Sequence, residues 1–544
     1  MHKPPIYNAA RALDQAAFAH PNRTSITYGD QVLTVAQANA LTRQLSQLLA
    51  QAGVTRGDRV MLASHNSPYH LLTYIACARL GAVFVPVSFR LTQLELQELV
   101  DFTAPRALIC EPEVAARGSI VSTGTLLQFV IDDDVQAGPL SAGFANGYLA
   151  LGAAMSPHDA AMVSDTANPG VLGLNQQGYP DGLAALFMTS GTAENPRAVA
   201  LTHANLWWGS RNFRDGFEYR PNETVLAVSP LSHIGGFNGT TLDVFSAGGH
   251  VVIERHFDAG ETLRIIEEHR VSIMFAAPTM YIALINHPDF ATRDLSSWRL
   301  PLVGGSQVPA PLLGRLAARG LQPINVWGMT ETAASGAYLP FEHCPEHPDS
   351  IGRPFAYIEA RICDSETGKA VEHGEIGELL VRGPSVASGY WHGEAYSAQA
   401  FSGDWLHTGD LASVDSTGFL SISGRMVDRI MTGGEGVVPD EVENVLRQFP
   451  GVRDAVVCGV PDDVWGELIV AGLELEKGVA EPSFADIEGF AEKILARFKL
   501  PRYIAVFEQI PLTANDKTDR AAARSVMMAL MDQQGVTNED LRPQ

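Results

Sequence analysis

Two periods of apolar residues alternate along the first half of the chain. Residues 8–20 carry apolar positions at helical spacing, and Ser25 to Tyr28 with Val32 and Leu33 read as a hairpin around a Gly29-Asp30 turn. Thr34 then caps a helix predicted to run to Ala52. Strands are predicted at 59–63, 82–86 and 107–110, with helices at 68–80 and 91–102 between them. Residues 112–182 are rich in Gly, Ala, Ser and Asp and read as connecting structure with some short strands. The apolar run 184–188 is a buried-strand candidate, and the segment from Leu201 to Leu206 reads as the start of a helix. Further strands are expected at 224–228, 250–253 and 272–275, with helices at 259–269 and 280–286. Residues 302–305 and 323–326 end strands at glycine-rich or polar turns. Strand alternating with helix predicts an α/β fold whose mainly parallel sheets are covered on both faces.

The texture changes twice after that. From 350 to 423 short strands and tight turns suggest a β-rich subdomain, with strands at 358–363 and 377–382. Beyond Arg425 a small α+β module is expected, with helices at 441–448 and 484–497 and strands at 452–460 and 468–475. The expected division is an N-terminal domain over 1–425 and a C-terminal domain over 426–544, with the boundary near 424–428.

Composition narrows the class of partner. A length of 544 residues leaves room for several cores at roughly 150 residues per domain. The net charge of -23 argues against nonspecific binding to nucleic acid or to an anionic membrane surface, yet it leaves room for a local cationic site. Five scattered cysteines form no CxxC pair or metal-ligand cluster, and read as small buried residues of a cytoplasmic protein. The N-terminus lacks the apolar core of a signal peptide, and no apolar run reaches the roughly 18 residues of a membrane span.

Five stretches carry candidate chemistry. Thr189, Ser190, Gly191 and Thr192 follow the apolar run, and Arg197 stands five residues later. Hydroxyls, a glycine that can turn backbone N–H groups inward and a permanent cation suit a polyphosphate. The loop is not a Walker A motif, since no Gly-Lys-Ser/Thr opens the next helix. Asn325-Val-Trp-Gly-Met-Thr-Glu331 places an amide, a flat ring, a hydroxyl and a hard oxygen ligand after a strand. Asp410 follows Thr408-Gly409, read as a turn, and could bind vicinal hydroxyls. Arg425 follows Gly424, and Lys517 ends a polar turn, Pro511-Leu-Thr-Ala-Asn-Asp-Lys517. Singly, the first stretch and the one around Asp410 are equally polar surface turns, the second reads more simply as a core Trp ahead of a helix N-terminus, and Arg425 and Lys517 read more simply as solvated surface residues.

Jointly and in this order, the five stretches resemble the core motifs of the ANL superfamily of adenylate-forming enzymes: acyl-CoA synthetases, adenylation domains of peptide synthetases and luciferases. The resemblance runs from about residue 8 to residue 520. It implies a small, mobile C-terminal domain. It implies that Thr189, Ser190, Gly191, Thr192 and Arg197 bind the β- and γ-phosphates of ATP. Gly304, Gly305 and Ser306 would flank adenine, with Asn325 and Trp327 as its partners. Thr330 would meet the α-phosphate, Glu331 would ligate Mg²⁺, and Asp410 and Arg425 would hold the ribose. Lys517 would meet the carboxylate and the α-phosphate, and His233 would guard an acyl pocket with Phe237, Gly305 and Met329 nearby, suited to an apolar or aromatic acid.

The implied reaction is ATP-dependent, AMP-forming activation of a carboxylic acid. The acyl-adenylate then passes to an acceptor, for which coenzyme A leads and an amine is the alternative. Several positions depart from the family pattern: Arg197 for Lys, Ala198 for Gly, Val427 where a hinge Asp or Lys is usual, Gly436 for Asn and Asp516 for Gly. Most of these fall in the C-terminal domain and bear on the acceptor. The residues after Lys517 carry no phosphopantetheine attachment site, so a complete peptide-synthetase module is not expected.

Overall fold

The computed structural model describes residues 8–118, 120, 126–132, 149–150, 182–189, 197–305, 308, 310–365, 367–426, 430–432, 435–462, 465–495, 497–513, 517–537 and 541. Two compact units divide the chain: Met1–Ala360 with Val381–His407, and Arg361–Leu380 with Thr408–Gln544.

The larger unit is built on two sheets. Its strands are β1 (Thr24–Tyr28), β2 (Gln31–Thr34), β3 (Arg59–Ser64), β4 (Val83–Ser88), β5 (Ala107–Cys110), β6 (Leu127–Val130), β7 (Leu149–Ala150), β8 (Leu183–Thr189), β9 (Arg197–Thr202), β10 (Thr224–Ala227), β11 (His250–Ile253), β12 (Ile273–Ala276), β13 (Leu300–Gly304), β14 (Ile324–Trp327), β15 (Ala337–Pro340) and β16 (Ser350–Pro354). One sheet runs β7-β6-β5-β3-β4-β8-β9, with all neighbours parallel except β8 and β9. In the other, β14-β13-β12-β10-β11-β1 is the parallel core, and β15, β16 and β2 extend it antiparallel. The parallel strands read as unbroken apolar runs because both faces are buried: β5 is buried at all four positions and β13 at all five.

Local capping signals start two of the helices. Thr34 and Gln37 form a capping box ahead of Val35–Gln51, and Thr92 and Glu95 do so ahead of Gln93–Thr103. The short helix Pro112–Ala116 and strands β6 and β7 lie within the stretch read as connecting structure.

A buried polar knot joins the two sheets of this unit. The fully buried Glu111 pairs with Arg255 and accepts from Ser64 Oγ at 2.7 Å and from the His65 amide at 2.8 Å. Asn66 Nδ2 donates to the carbonyls of Val228, Ser229 and Glu254, while its Oδ1 accepts from the Leu231 amide at 2.8 Å. His65, Glu111 and Glu113 lie close enough to share a cation. Arg255 and Ser64 already occupy Glu111, so the knot is a tie between sheets.

The second unit contains a five-stranded sheet, in which Gly466–Leu475 pairs with Val452–Asp462 on one side and with Ile430–Thr432 and Tyr503–Phe507 elsewhere. Alternate residues of Val452–Asp462 face two cores. Ala455 and Val457 pack with helices Pro439–Leu446 and Phe484–Ala491, and Val456 and Cys458 pack with Arg520–Gln534. The helix expected over 484–497 stops at Ala491, and the last helix lies beyond the predicted elements. The five cysteines are buried, as expected of small core residues. No described helix is long and apolar enough to cross a membrane.

Candidate active site

The phosphate-loop candidate sits in a β-hairpin. β8 and β9 are antiparallel and open at Thr189 opposite Arg197. Ser190, Gly191 and Thr192 lie outside the described residues. β9 is a correction to the sequence reading, which ran the loop directly into a helix. The exposed Arg197 places its guanidinium carbon 4.1 Å from the centroid of the Tyr396 ring.

After β9, Thr202 and Asn205 form a capping box and start the helix His203–Gly216. Asn205, Gly209 and Asn212 are spaced four and three apart and share one face. Asn205 Nδ2 donates to the carbonyls of Pro384 at 3.1 Å and Val386 at 2.8 Å, and Asn212 Nδ2 donates to Ser335 Oγ at 3.0 Å. A Cβ at position 209 would stand 2.5 Å from the Ala333 carbonyl oxygen, so Gly209 lets the helix lie flush against the next motif.

That motif is a tight reversal after β14. Thr330–Thr332 is a single 3₁₀ turn, and Ala333 and Ala334 follow at φ of 51° and 74°. Two alanines in the left-handed region are costly and are held by their surroundings: Asn238 Nδ2 donates to the Ala333 carbonyl at 2.9 Å. Glu331 is only 6% exposed. Its Oε1 accepts from the Tyr390 hydroxyl at 2.7 Å, and its backbone carbonyl accepts from the Ala387 amide at 2.7 Å. Its Oε2 accepts no hydrogen bond among the described residues.

Tyr390 in turn is fixed to β9. Val199 and Tyr390 form an antiparallel bridge, the Ala200 amide donates to the Gly389 carbonyl at 3.1 Å, and the Trp391 amide donates to the Ala198 carbonyl at 2.8 Å. The segment 389–396 therefore brings together Arg197, at the neck of the phosphate-loop candidate, and Glu331. Sequence reading did not single out Tyr390 or Tyr396. The available signal was a Gly-Tyr-Trp triplet in a turn-rich stretch, without periodicity to place it.

The adenine candidates are partly structural. Asn325 is 8% exposed and donates through Nδ2 to the Ser350 carbonyl at 3.1 Å. Trp327 is half-buried, and a Cβ at Gly336 would meet its Cε3 and Cζ3 at 2.3 Å, so backbone covers that part of the ring. Gly304 is required by close approach, since a Cβ there would lie 2.2 Å from the Val326 carbonyl oxygen. Gly305 is required by its φ of 88°. Ser306 lies outside the described residues.

His233 immediately precedes the short helix Ile234–Phe237. Phe237 is fully buried among Tyr74, Phe84 and Phe187, with centroids 5.3 to 5.6 Å away, so it packs into the core where a pocket wall was expected. The half-buried Phe275 lies instead between two glycines, where added Cβ atoms would meet its ring at 2.9 Å from Gly235 and 3.1 Å from Gly304.

In the second unit, Asp410 and Arg425 face each other in register on the antiparallel strands Trp405–Val414 and Leu420–Arg425. Arg425 Nε is 2.6 Å from Oδ1 of Asp410, whose residue is 2% exposed, and Arg425 Nη1 donates to the Thr408 carbonyl at 3.2 Å. The predicted Thr408-Gly409 turn is part of the continuous strand, with Gly409 at φ 71°. Lys517 is exposed, and its carbonyl accepts from the Thr513 amide at 2.7 Å. Gly436 lies on the strand Glu435–Val437, and Val427 and Asp516 fall outside the described residues.

Two family models match this chain: "AMP-binding enzyme" over residues 13–391 and "AMP-binding enzyme C-terminal domain" over 441–517. A feruloyl-CoA synthase of Amycolatopsis sp is 34% identical over 93% of this chain and 96% of its own length. An indoleacetate–CoA ligase of Aromatoleum aromaticum is 30% identical over 95% and 97% respectively. Among solved structures, the amide bond synthetase McbA of Marinactinospora thermotolerans superposes with a TM-score of 0.79 at 26% identity, covering 95% of this chain and 99% of that one.

Proposed function

The chain belongs to the AMP-binding enzyme family, and from that premise we propose that it activates an aryl-substituted carboxylic acid and passes the acyl group to coenzyme A. The family reaction is ATP-dependent and AMP-forming. A carboxylate is a poor electrophile, because attack on it must expel oxide. Its attack on the α-phosphate of ATP releases pyrophosphate and leaves a mixed anhydride from which AMP departs easily. The barrier is the approach of two anions, so positioned charge does most of the work and no side-chain nucleophile is needed.

The single observation that carries the site assignment is Glu331, a buried carboxylate with one oxygen held by Tyr390 and the other accepting no hydrogen bond among the described residues. That donor set fits a hard cation shared with substrate phosphates. When bound there, Mg²⁺ supplies charge neutralisation for the polyphosphate. In this reading Thr189, Ser190, Gly191, Thr192 and Arg197 hold the β- and γ-phosphates, and Thr330 holds the α-phosphate. Gly304, Gly305, Ser306, Asn325 and Trp327 line the adenine site, and Asp410 with Arg425 hold the ribose. Lys517 meets the reacting carboxylate, carried by a mobile C-terminal domain over 426–544 hinged near Val427. His233 and Phe275 border the acid. An aryl acid is supported by the half-buried Phe275 ring between two glycines and by the feruloyl-CoA synthase and indoleacetate–CoA ligase among the relatives. We place the protein in the cytoplasm, consistent with buried, scattered cysteines.

Coenzyme A as acceptor is supported by relatives named as CoA ligases over nine-tenths of the chain. Amide formation is the second reading, supported by the match to an amide bond synthetase. Product mass decides between them. With ATP, Mg²⁺ and a suitable aryl acid, the expected product is the acyl-CoA thioester. An amide from an equimolar amine panel, with no thioester, would replace the first reading by the second.

A further inference from the structure

We propose that Tyr390 is a positioning residue for the cation ligand, fixing the Glu331 carboxylate so that Oε2 alone is presented to the metal. The proposal rests on the reading of Glu331 as that ligand.

A carboxylate is symmetric, with two equivalent oxygens. Glu331 sits on a single 3₁₀ turn, and nothing in that turn distinguishes its two oxygens. The Tyr390 hydroxyl does, by donating to Oε1 at 2.7 Å. A hydrogen bond to an ionised acceptor is among the stronger kinds, and here both residues are at least half-buried. Tyr390 is itself held on three sides. It is bridged to Val199 of β9, its amide donates to Ser397 Oγ at 2.9 Å, and its ring lies 6.0 Å from that of Phe401. The hydroxyl is thus delivered by rigid backbone and not by a loop tip. Partners of metal ligands that act in this way typically change metal affinity or activity by about 10–100-fold when removed.

The same segment touches the other side of the nucleotide site. Six residues on, Tyr396 lies under the guanidinium of Arg197. One stretch of chain therefore sets both a cation ligand and a phosphate-side cation. A neutral hydroxyl suits the first role, because a second carboxylate would repel Glu331 and a lysine would compete with the metal for it.

Tyr390→Phe isolates the hydroxyl, since the ring and the backbone bridge remain. The measurement is Mn²⁺ binding to the full-length enzyme in the presence of a non-hydrolysable ATP analogue, read from the free Mn²⁺ signal by electron paramagnetic resonance. AMP affinity and thermal melting are followed in parallel. The expected result is a Mn²⁺ affinity about tenfold weaker, with AMP affinity and melting unchanged. Unchanged Mn²⁺ affinity overturns the proposal, as does a parallel loss of AMP affinity, which would mark a general structural role. Glu331→Gln tests the underlying reading separately. If it leaves Mn²⁺ affinity intact, Glu331 is not the ligand and both assignments fall. If it weakens Mn²⁺ binding while Tyr390→Phe does not, only the positioning role falls.

Discussion

At the scale of single residues, burial decides which side chains respond to pH. Glu254 directly follows β11 and is 5% exposed, and burial pushes its carboxyl up to about 7. Its Oε1 accepts from the Asp258 amide and its Oε2 from the Thr262 hydroxyl, both of which pull the other way but do not win. A carboxyl whose folded value lies above its unfolded value of 4.5 stabilises the fold fully below pH 4.5, and that contribution is lost as pH rises through about 7. The stake is on the order of 3 kcal/mol. Glu254→Gln, which cannot ionise, should therefore gain stability relative to the wild type between pH 5 and pH 8 in denaturant titrations. A difference that does not change over that range would contradict the assignment.

The candidate site residues differ in how far they could be read from sequence. Thr189, Arg197, Asn325, Trp327, Glu331, Asp410, Arg425 and Lys517 stand in short motifs whose order along the chain is informative. Tyr390 does not, because its partner is 59 residues away in sequence and only the pairing of β9 with 389–391 brings them together. Phe237 was misread for a related reason. Adjacency to His233 placed it in the pocket region, but its side chain joins Tyr74, Phe84 and Phe187 in the core.

Among elements, strong local signals coincided with what forms. Thr34 caps its helix as predicted because capping is settled within four residues, whereas the helix expected from Leu91 begins two residues later, at Gln93, behind a Thr92 cap. The strand β9 was missed because its six residues follow a hydroxyl-rich loop, and its pairing with β8 supplies the periodicity its own sequence lacks. The helix over 484–497 was drawn too long. Ile487, Ala491 and Leu495 keep helical spacing and are all buried, yet Leu495 reaches the core from the turns that follow Ala491. The Thr408-Gly409 pair reads as a turn, but tertiary pairing keeps it in a strand with Gly409 at positive φ.

Glycines give an element-scale test with two signs. Gly304 ends β13, where a Cβ would sit 2.2 Å from a backbone oxygen that cannot swing away. Gly314 lies exposed within the helix Ala310–Ala318, and a Cβ there meets nothing within 4 Å. Gly304→Ala should destabilise by about 1–3 kcal/mol through overpacking. Gly314→Ala should stabilise by about 0.5–1 kcal/mol, by restricting the unfolded chain and favouring helix. Denaturation midpoints of the two variants check both signs, and a stabilised Gly304→Ala would refute the close packing of β13 against β14.

At the scale of the whole molecule, the proposed reaction has two halves, with a turn of the C-terminal domain between them. If the C-terminal domain turns near Val427, fixing φ there should separate the steps. Val427→Pro also removes a backbone donor. The expected outcome is normal acyl-adenylate formation with slowed transfer to coenzyme A, measured in parallel by trapped adenylate and final thioester. Equal loss of both steps would count against a hinge at this position. No loss of either would mean that the acceptor reaches the adenylate without the domain turning, which is what the amide-forming reading expects.

The central claim is acid-dependent adenylation through Glu331 and Lys517. It is tested most directly by ATP–pyrophosphate exchange in the wild type, Glu331→Gln and Lys517→Ala, over a panel of aryl and aliphatic carboxylic acids. The expected result is exchange that requires an acid and is strongest with aryl acids. Near-abolition is expected in both variants, with kcat falling by more than the KM for ATP rises, because the lost charges act mainly in the transition state. Exchange independent of any acid, or undiminished in Lys517→Ala, would contradict it.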